Sequence, residues 1–273
     1  MFIMYSLDVV TPTILDLFGI KTESKNLAIV EIKEERIRLL EDKPVERMLL
    51  YSPDAMGEWL YQKYREEFLP VEDIAPVTLE VESMTPSVTP VCFASMFTGM
   101  KPKDHGIQRY EKPVLQVETV FDTLVKAGKR VAIVAVKDCS IDLIFRNREI
   151  DYYSEPYDKE VEDRVIELLK EDKYDLILAY NQSYDDTMHS STPESPESIE
   201  AFREHIRTFS KLAAEFNNVN KERNRVLAFL PDHGTHIDPD TGKGTHGTEL
   251  REDMEVRHFW GIYKGEKSNM PDL

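Results

Sequence analysis

The stretch YDLILAYNQSYDDTMH, residues 174–189, joins a nearly continuous apolar run to a segment rich in carboxylate and imidazole side chains. Short apolar runs of this kind are typical of parallel strands that are buried on both faces of a sheet. Residues 47–51, 130–136 and 225–230 repeat the apolar pattern. The sequence therefore predicts four core strands of one sheet, at these three ranges and at 174–180.

Segments with helical periodicity lie between the predicted strands. Their alternation with the strands predicts an α/β fold, with a mainly parallel central sheet flanked by helices on both faces. The predicted helices cover residues 54–69, 117–127, 158–171 and 196–217. Ser195 and Pro196 supply a suitable N-cap and first residue for the last of them. Residues 27–40 are expected to form either a pair of strands or a strand and a short helix.

The composition excludes several classes of function. Nucleic-acid surfaces need clustered Lys and Arg, so a formal net charge of −17 argues against a nucleic-acid polymer as partner. No apolar run approaches the roughly 18 residues of a membrane span, and the N-terminus lacks the basic start of a secretory signal. Two cysteines cannot build a disulfide framework. We therefore expect a cytoplasmic protein with no membrane partner, folded as a single catalytic domain over residues 1–273.

A charged residue that could bind a metal ion or a substrate follows each predicted core strand. The carboxyl ends of parallel strands line the ligand crevice in open α/β sheets. The residues in question are Asp54, Lys137, Asp185 and Asp232. Four separate strand ends therefore indicate one shared site.

Asp and His residues near these strand ends have the spacing of metal ligands. Asp185 and His189 form a D-x-x-x-H pattern, and His246 follows in GTHG. One carboxylate and two imidazoles make a three-ligand divalent site that leaves a position open for substrate. A second group of three consists of Asp54, Asp232 and His233. Two such groups favour phosphoryl transfer, in which one metal ion activates the nucleophile and the other stabilises the leaving oxygen.

A hydroxyl nucleophile is expected within residues 84–107 or directly before them. The candidates are Ser83, Thr85, Ser87 and Thr89. The chemistry of these four side chains does not distinguish among them.

The motifs YSPDAMG, SVTPVCFASMFTG, YDDTMH, PDHGTH and THG occur in this order. The combination resembles the alkaline phosphatase superfamily, and especially its type I phosphodiesterase and nucleotide pyrophosphatase branch, over residues 47–263. The resemblance implies an alkaline phosphatase-like fold. It also implies a metal-dependent hydrolase of phosphoric esters that acts through a phospho-threonine intermediate, with a small phosphate ester as the substrate.

The resemblance assigns roles to individual residues. The family's nucleophile stands nine residues before a Thr-Gly pair, here Thr98-Gly99, which selects Thr89. The implied cofactors are two divalent metal ions; mixed His and Asp ligands suit zinc, and manganese stays open. The implied ligands of one ion are Asp54, Thr89, Asp232 and His233, and those of the other are Asp185, His189 and His246.

Four residues bear on substrate binding. Lys137 falls where sulfatases and some phosphate or phosphonate hydrolases of the superfamily place a substrate-binding Lys, although a solvated Lys at a strand end is the alternative. Cys92 stands where nucleotide pyrophosphatases carry an Asn that holds a phosphate oxygen. Cys139 stands where relatives often carry a basic residue or His. Tyr184, beside Asp185, is a further candidate for substrate contact.

These departures from the family pattern leave alternatives open. Phosphomonoester or phosphonate hydrolysis would use the same groups. A phosphomutase-type isomerase and a non-catalytic metal- or phosphate-binding protein are the two other classes. The sequence names neither the physiological substrate nor the oligomeric state.

The N-terminal stretch TPTILDLFGI, residues 11–20, resembles a helical segment that follows the C-terminal His-Gly motif in sulfatases and related members. Here it comes first, and the chain ends about where that segment would follow. We therefore predict a circular permutation, in which residues 1–20 lie beside the C-terminal strand near 257–263.

Overall fold

An eight-stranded sheet lies at the centre of the structure, which is a computed structural model that describes residues 4–21 and 26–266. The strands of the chain are β1 Tyr5–Ser6, β2 Arg47–Pro53, β3 Val77–Glu82, β4 Val131–Val136, β5 Asp151–Glu155, β6 Leu176–Asn181, β7 Arg225–Phe229, β8 His236–Ile237, β9 Gly244–Thr245 and β10 Glu255–Tyr263. Strands β8 and β9 form a separate hairpin. All the others belong to the central sheet.

The described helices alternate with these strands. A 3₁₀ turn covers Leu7–Val9. The α-helices are α1 Val10–Leu17, α2 Val30–Leu40, α3 Glu58–Lys63, α4 Arg65–Ile74, α5 Thr89–Thr98, α6 Pro102–His105, α7 Val120–Lys126, α8 Ser140–Ile144, α9 Asp158–Glu171, α10 Ser183–Ser190, α11 Pro196–Val219 and α12 Arg251–Met254. None of these described helices is both long enough and apolar enough to cross a membrane.

The central sheet has the strand order β1-β3-β10-β7-β2-β6-β4-β5. Neighbouring strands run parallel except at β10, which is antiparallel to both β3 and β7. All six residues of β4 and all six of β6 are buried. Each large aliphatic side chain buried in this way contributes about 1.5–3 kcal/mol of hydrophobic stabilisation. The predicted mainly parallel sheet is confirmed.

Helices cover both faces of this sheet. On one face, α9 packs against α11, and α4 and α10 also pack against α11. On the other face, α5 packs with α1, α7 and α8. Aromatic contacts from adjacent strands show the same division, since Tyr51 of β2 meets Phe209 of α11 whereas Tyr180 of β6 meets Phe93 of α5.

The four predicted core strands correspond to β2, β4, β6 and β7, with bounds that differ by at most two residues. The helices predicted at 158–171 and 196–217 are α9 and α11, and the one at 117–127 is α7. The predicted helix at 54–69 is instead two helices, α3 and α4, which meet at Tyr64. The backbone of Tyr64 leaves the helical region, with φ −116° and ψ 36°.

The prediction for residues 27–40 is wrong, because the segment forms the single helix α2. Its buried residues are Ile32, Arg36 and Leu40, which recur every four residues, as on a helix. Arg36 is buried because it pairs with Asp16 of α1, with 3.3 Å between Nε and Oδ2. A charged residue on the buried face therefore obscures the helical period in the sequence.

The N-terminal segment lies in part where it is predicted. Helix α1 covers most of residues 11–20, packs against α5 and α7, and is followed by Gly19 in the left-handed region. The expected direct neighbour relation with the C-terminal strand is wrong, because β1 pairs with β3, and β3 separates it from β10. Residues 1–3 lie outside the described part of the chain, and the circular permutation itself stays a prediction.

Candidate active site

Three adjacent parallel strands carry most of the chemically active residues at their carboxyl ends. Asp54 directly follows β2, Asp232 lies three residues after β7, and Asp185 lies in the first turn of α10, which follows β6. Strand β2 lies between β7 and β6 in the sheet. The three carboxylates therefore meet at one edge of the sheet, as the sequence predicts.

Asp54, Asp232 and His233 form one candidate metal group, which we call the buried group. Their exposed fractions are 2%, 0% and 0%. Nε2 of His233 lies 3.3 Å from Oδ1 of Asp54 and 3.4 Å from Oδ2 of Asp232. These two carboxylate oxygens have no hydrogen-bond partner among the described residues.

The electrostatics of the buried group fit a bound cation. Burial raises the pKa of Asp54, and the neighbouring Asp232 carboxylate raises it further. Burial also raises the pKa of Asp232 to about 8, and it lowers the pKa of His233. Two buried carboxylates without a counter-ion are costly, whereas a divalent ion between them would supply the missing charge.

Asp185, His189 and His246 form a second candidate metal group, which we call the open group. Oδ1 of Asp185 lies 3.3 Å from Nε2 of His189 and 3.4 Å from Nε2 of His246. This oxygen has no hydrogen-bond partner among the described residues. The His189 side chain is 41% exposed, so solvent reaches the open group but not the buried one.

All three imidazoles of the two groups are oriented by main-chain carbonyls. Nδ1 of His233 lies 3.0 Å from the Gly234 oxygen. The corresponding Nδ1 distances are 3.1 Å from His189 to Gly244 and 2.8 Å from His246 to Ser87. Because a carbonyl only accepts, Nδ1 carries the proton in each ring and Nε2 is left with a free lone pair. Metal-binding histidines are usually held in this way.

Two glycines allow the ligand-bearing loops to approach other backbone closely. A Cβ atom on Gly234, directly after His233, would lie 1.9 Å from the Glu252 carbonyl oxygen. A Cβ atom on Gly244 would lie 2.5 Å from the carbonyl oxygen of Met188, in the helix that carries His189. Any side chain at either position would move ligands of one of the groups.

Among the four candidate nucleophiles, Thr89 lies beside the carboxylate and imidazole of the buried group. It begins α5 and is 4% exposed. Its Oγ1 lies 3.3 Å from Oδ2 of Asp54 and 3.3 Å from Nε2 of His233. The hydroxyl can donate to the carboxylate, which directs its lone pairs away from Asp54.

The other three candidate nucleophiles have different surroundings. Ser83 donates to the main-chain oxygen of Asp232 at 2.7 Å, and Ser87 donates to that of Thr248 at 2.8 Å. Thr85 is exposed. Among the four hydroxyl residues, the geometry therefore favours Thr89 as the reactive one.

The two cysteines and Lys137 differ in burial. Cys92 is fully buried with its Sγ 3.1 Å from Oγ of Ser83, and burial raises the pKa of its thiol. Cys139 caps α8 by accepting from the amide of Asp142 at 3.3 Å, and burial raises its pKa to about 12. Lys137 is exposed at the end of β4. Of the three, only Lys137 has a side chain open to solvent.

The prediction that Tyr184 contacts the substrate is at odds with its position. Its side chain is fully buried, and its hydroxyl donates to the carbonyl oxygen of Pro193 at 3.2 Å. Successive side chains on a helix point about 100° apart, so Tyr184 does not face in the same direction as the adjacent ligand Asp185. Tyr184 therefore packs under α10 rather than facing the site.

Two exposed tyrosines lie at the mouth of the site, and the sequence prediction missed Tyr110. Tyr157 is 40% exposed and donates to Oδ2 of Asp186 at 2.8 Å. Tyr110 is 61% exposed. Partial burial raises the pKa of the Tyr110 hydroxyl, and the nearby carboxylates of Asp54 and Asp185 raise it further. No pattern in the loop GIQRYEK marks Tyr110, since its proximity to the metal groups depends on tertiary structure.

The remaining histidines outside the two groups have structural partners. His105 is buried, and its Nε2 lies 2.9 Å from Oγ of Ser95. His258 and His205 are fully or almost fully buried. His236 lies 2.7 Å from the buried carboxylate of Asp253.

A sequence comparison links most of the chain to one family. The sequence model of the family "Type I phosphodiesterase / nucleotide pyrophosphatase" matches residues 76–246, which is more than half of the chain. No curated protein sequence matches at a significant level.

Solved structures of similar fold include two kinds of enzyme. An inactive variant of murine ectonucleotide pyrophosphatase / phosphodiesterase 5 in complex with AMP matches with a TM-score of 0.56 and 20% identity, covering 70% of this chain and 57% of the other. Phosphonoacetate hydrolase from Sinorhizobium meliloti 1021 in complex with phosphonoformate matches with a TM-score of 0.54 and 18% identity, covering 73% and 60%. This chain thus spans less than two thirds of either structure, and the likeness confirms the fold.

Proposed function

Because the chain belongs to the type I phosphodiesterase / nucleotide pyrophosphatase family of the alkaline phosphatase superfamily, we propose that it is a metal-dependent hydrolase of phosphoric esters with Thr89 as its covalent nucleophile. The single observation that carries the proposal is the position of the Thr89 hydroxyl. It lies 3.3 Å from a carboxylate and 3.3 Å from an imidazole of the buried group.

The proposal needs a cation at each ligand group. Two divalent ions, zinc or manganese, would add positive charge around a phosphoryl group and lower the pKa of the threonine hydroxyl. Asp54, Asp232, His233 and Thr89 would hold one ion, and Asp185, His189 and His246 the other. The mixed oxygen and nitrogen donors favour zinc.

The chain's own residues have distinct tasks in this proposal. Thr89 attacks phosphorus and displaces the leaving alkoxide, which takes up a proton and departs as the alcohol, so that a phospho-threonine is formed. Water then cleaves the phospho-threonine, which restores the Thr89 hydroxyl and releases the phosphorus-containing product. Asp54 orients the hydroxyl through its Oδ2 atom. Lys137 and Cys92 are the proposed substrate contacts carried over from the family; Lys137 is open to solvent, whereas Cys92 is fully buried. The charge of −17 supports a compact ester rather than a polyanionic polymer.

Phosphonate hydrolysis is a second candidate, and the similarity to phosphonoacetate hydrolase favours it. Both reactions transfer a phosphorus-centred group to the same threonine. They differ in whether an oxygen or a carbon atom leaves.

The test is a set of turnover assays on purified protein loaded with zinc or with manganese. The substrates are bis-p-nitrophenyl phosphate, p-nitrophenyl phosphate, p-nitrophenyl phenylphosphonate and phosphonoacetate. We expect turnover of at least one ester, and we expect Thr89→Ala to lower it on the order of 10⁴-fold. The exposed Thr85→Ala is the matched control and should keep full activity.

The outcome also distinguishes the alternative classes. Turnover of phosphonoacetate alone would favour the phosphonate reaction. Metal binding with no Thr89-dependent turnover on any substrate would contradict the hydrolase and favour a binding protein. Transfer of phosphate back to the substrate without release would favour an isomerase.

A further inference from the structure

The two oxygens of the Asp54 carboxylate have different surroundings. Oδ1 faces His233 and has no hydrogen-bond partner among the described residues. Oδ2 accepts hydrogen bonds from the hydroxyls of Thr89 and Tyr180. One oxygen of the carboxylate is therefore available to bind a metal ion, whereas the other is already occupied by two hydrogen bonds.

Tyr180 reaches Asp54 from the neighbouring strand. It is 2% exposed and is the fifth residue of β6, paired in register with Ser52 of β2. The amide of Asp54 donates to the carbonyl of Asn181 at 3.0 Å, which continues the pairing beyond the strand end. Sheet hydrogen bonds thus fix the backbones of Tyr180 and Asp54 relative to each other.

The ring of Tyr180 is also held by the helix that carries the nucleophile. It meets Phe93 of α5 edge to face, with ring centroids 5.5 Å apart and an interplanar angle of 88°. Phe93 lies one turn after Thr89 on the same helix. One side chain therefore contacts both the Asp54 carboxylate and the helix of Thr89.

We infer that Tyr180 is a positioning residue that holds Asp54 with Oδ1 toward the metal and Oδ2 toward the Thr89 hydroxyl. A phenol hydroxyl is protonated at neutral pH, so it donates to the carboxylate and cannot itself compete as an anionic ligand. Without that donor, the Asp54 carboxylate would be free to rotate, and its Oδ2 would no longer be held toward the Thr89 hydroxyl. The inference rests on the proposed metal binding at the buried group.

The experiment compares Tyr180→Phe with Tyr184→Phe in the full chain. Both changes remove one hydroxyl from a buried tyrosine in the same strand–helix segment, but the Tyr184 hydroxyl binds the Pro193 carbonyl instead of a candidate ligand. The measurement is the dissociation constant of each of the two zinc ions, by competition with a chromogenic chelator. The visible absorption of bound Co²⁺ reports the ligand geometry in parallel.

We expect Tyr180→Phe to weaken the binding of one of the two zinc ions by about 10–100-fold. Loss of an outer hydrogen bond to a metal ligand commonly has an effect of this size. The other ion should keep its affinity, and the Co²⁺ spectrum should change. At saturating metal, kcat should fall more than KM rises, since Thr89 loses its orientation. Tyr184→Phe should leave both affinities and the spectrum unchanged.

Three results would overturn the inference. Wild-type affinity and spectrum in Tyr180→Phe would show that the hydrogen bond positions nothing. Equal weakening of both ions in both variants would show a general loss of packing. Wild-type protein that binds no metal would refute this inference and the proposed function together, whereas metal binding without turnover would refute only the proposed function.

Discussion

The buried group and the open group contain similar ligands but are built differently. Asp54 and Asp232 of the buried group follow strands in the middle of the sheet, and the group has almost no solvent exposure. The open group depends on α10, a helix of eight residues, and on the β8–β9 hairpin. One fold can therefore supply a fully buried ligand set and a more accessible one side by side, since the ring centroids of His233 and His246 are 4.1 Å apart.

The first turn of the helix in the open group is held by side chains from neighbouring elements. The carboxylate of Asp158 accepts from the amides of Gln182 and Ser183 at 2.9 and 3.0 Å. His205 of α11 lies 3.3 Å from the amide of Tyr184 and 2.8 Å from the hydroxyl of Tyr51. Near the other end of α10, the His189 side chain is 41% exposed, so solvent reaches this group more readily than the buried one.

The largest expected contrast comes from removing one imidazole from each group. We expect His233→Ala to weaken metal binding by more than about 100-fold, and His189→Ala by only about tenfold. Water can fill the coordination position at exposed His189, but little water reaches His233. Equilibrium dialysis with metal analysis measures both. Equal losses in the two variants would contradict the division into a rigid and an accessible group.

A chelator should remove the metal ions from the two groups at different rates. The open group should release its ion to a chelator at least about tenfold faster, because release from the buried group requires local opening of the structure. Metal content measured during incubation with a chelator should therefore fall in two phases. Asp185→Asn should remove the fast phase only. A single phase in the wild-type protein would go against this expectation.

Acidification should lower the folding stability of the protein, because it protonates a histidine that is buried beneath the buried group. His258 is fully buried with Nε2 2.9 Å from the Pro231 oxygen, directly before Asp232, and burial lowers its pKa to about 4. A folded-state pKa below the unfolded value of about 6.5 means that stability is complete above pH 6.5 and is lost as pH falls toward 4. The loss amounts to about 3 kcal/mol.

Urea unfolding of the metal-free protein at pH 7 and at pH 4.5 measures this loss. We expect His258→Asn to lose less stability on acidification than the wild type. Protonation of His189 in the open group has the opposite effect on stability, because the Asp185 carboxylate beside it raises its pKa. Its contribution is present below the unfolded pKa and is lost as pH rises, so His189→Asn should be more acid-sensitive. The same response from both variants would contradict these assignments.

The smallest expected effect concerns the mouth of the site. We expect Tyr110→Ala to lower kcat/KM by up to about tenfold, the equivalent of one aromatic contact. Metal affinities should not change, since Tyr110 contributes no ligand to either group. Tyr152→Ala is unsuitable as a control, because the Tyr152 hydroxyl donates a hydrogen bond to the Phe145 carbonyl. Exposed Leu250→Ala serves instead. An equal effect from this change would show that Tyr110 makes no specific contact with the substrate.

Sequence reasoning found the central architecture because buried parallel strands leave a strong local signal. Strands β4, β6 and β7 are nearly continuous apolar runs. Helix α9, DKEVEDRVIELLKE, has a clear amphipathic period, in which nine polar residues alternate with apolar ones. Strand β3 was not predicted from the sequence. Only one of its six residues is buried, so the strand contains no continuous apolar run. Helix α2 was misjudged because Arg36 lies on its buried face.

The sequence by itself determined the α/β class, the order of the ligand motifs and the residues of both candidate metal groups, because strand burial and D-x-x-x-H spacing are local properties of the chain. Only the tertiary structure decided which oxygen of Asp54 is free, why Tyr184 packs inside and how Tyr110 reaches the mouth of the site. These features depend on side-chain directions across neighbouring elements. Such directions are set by packing among residues far apart in the chain, which no local pattern records.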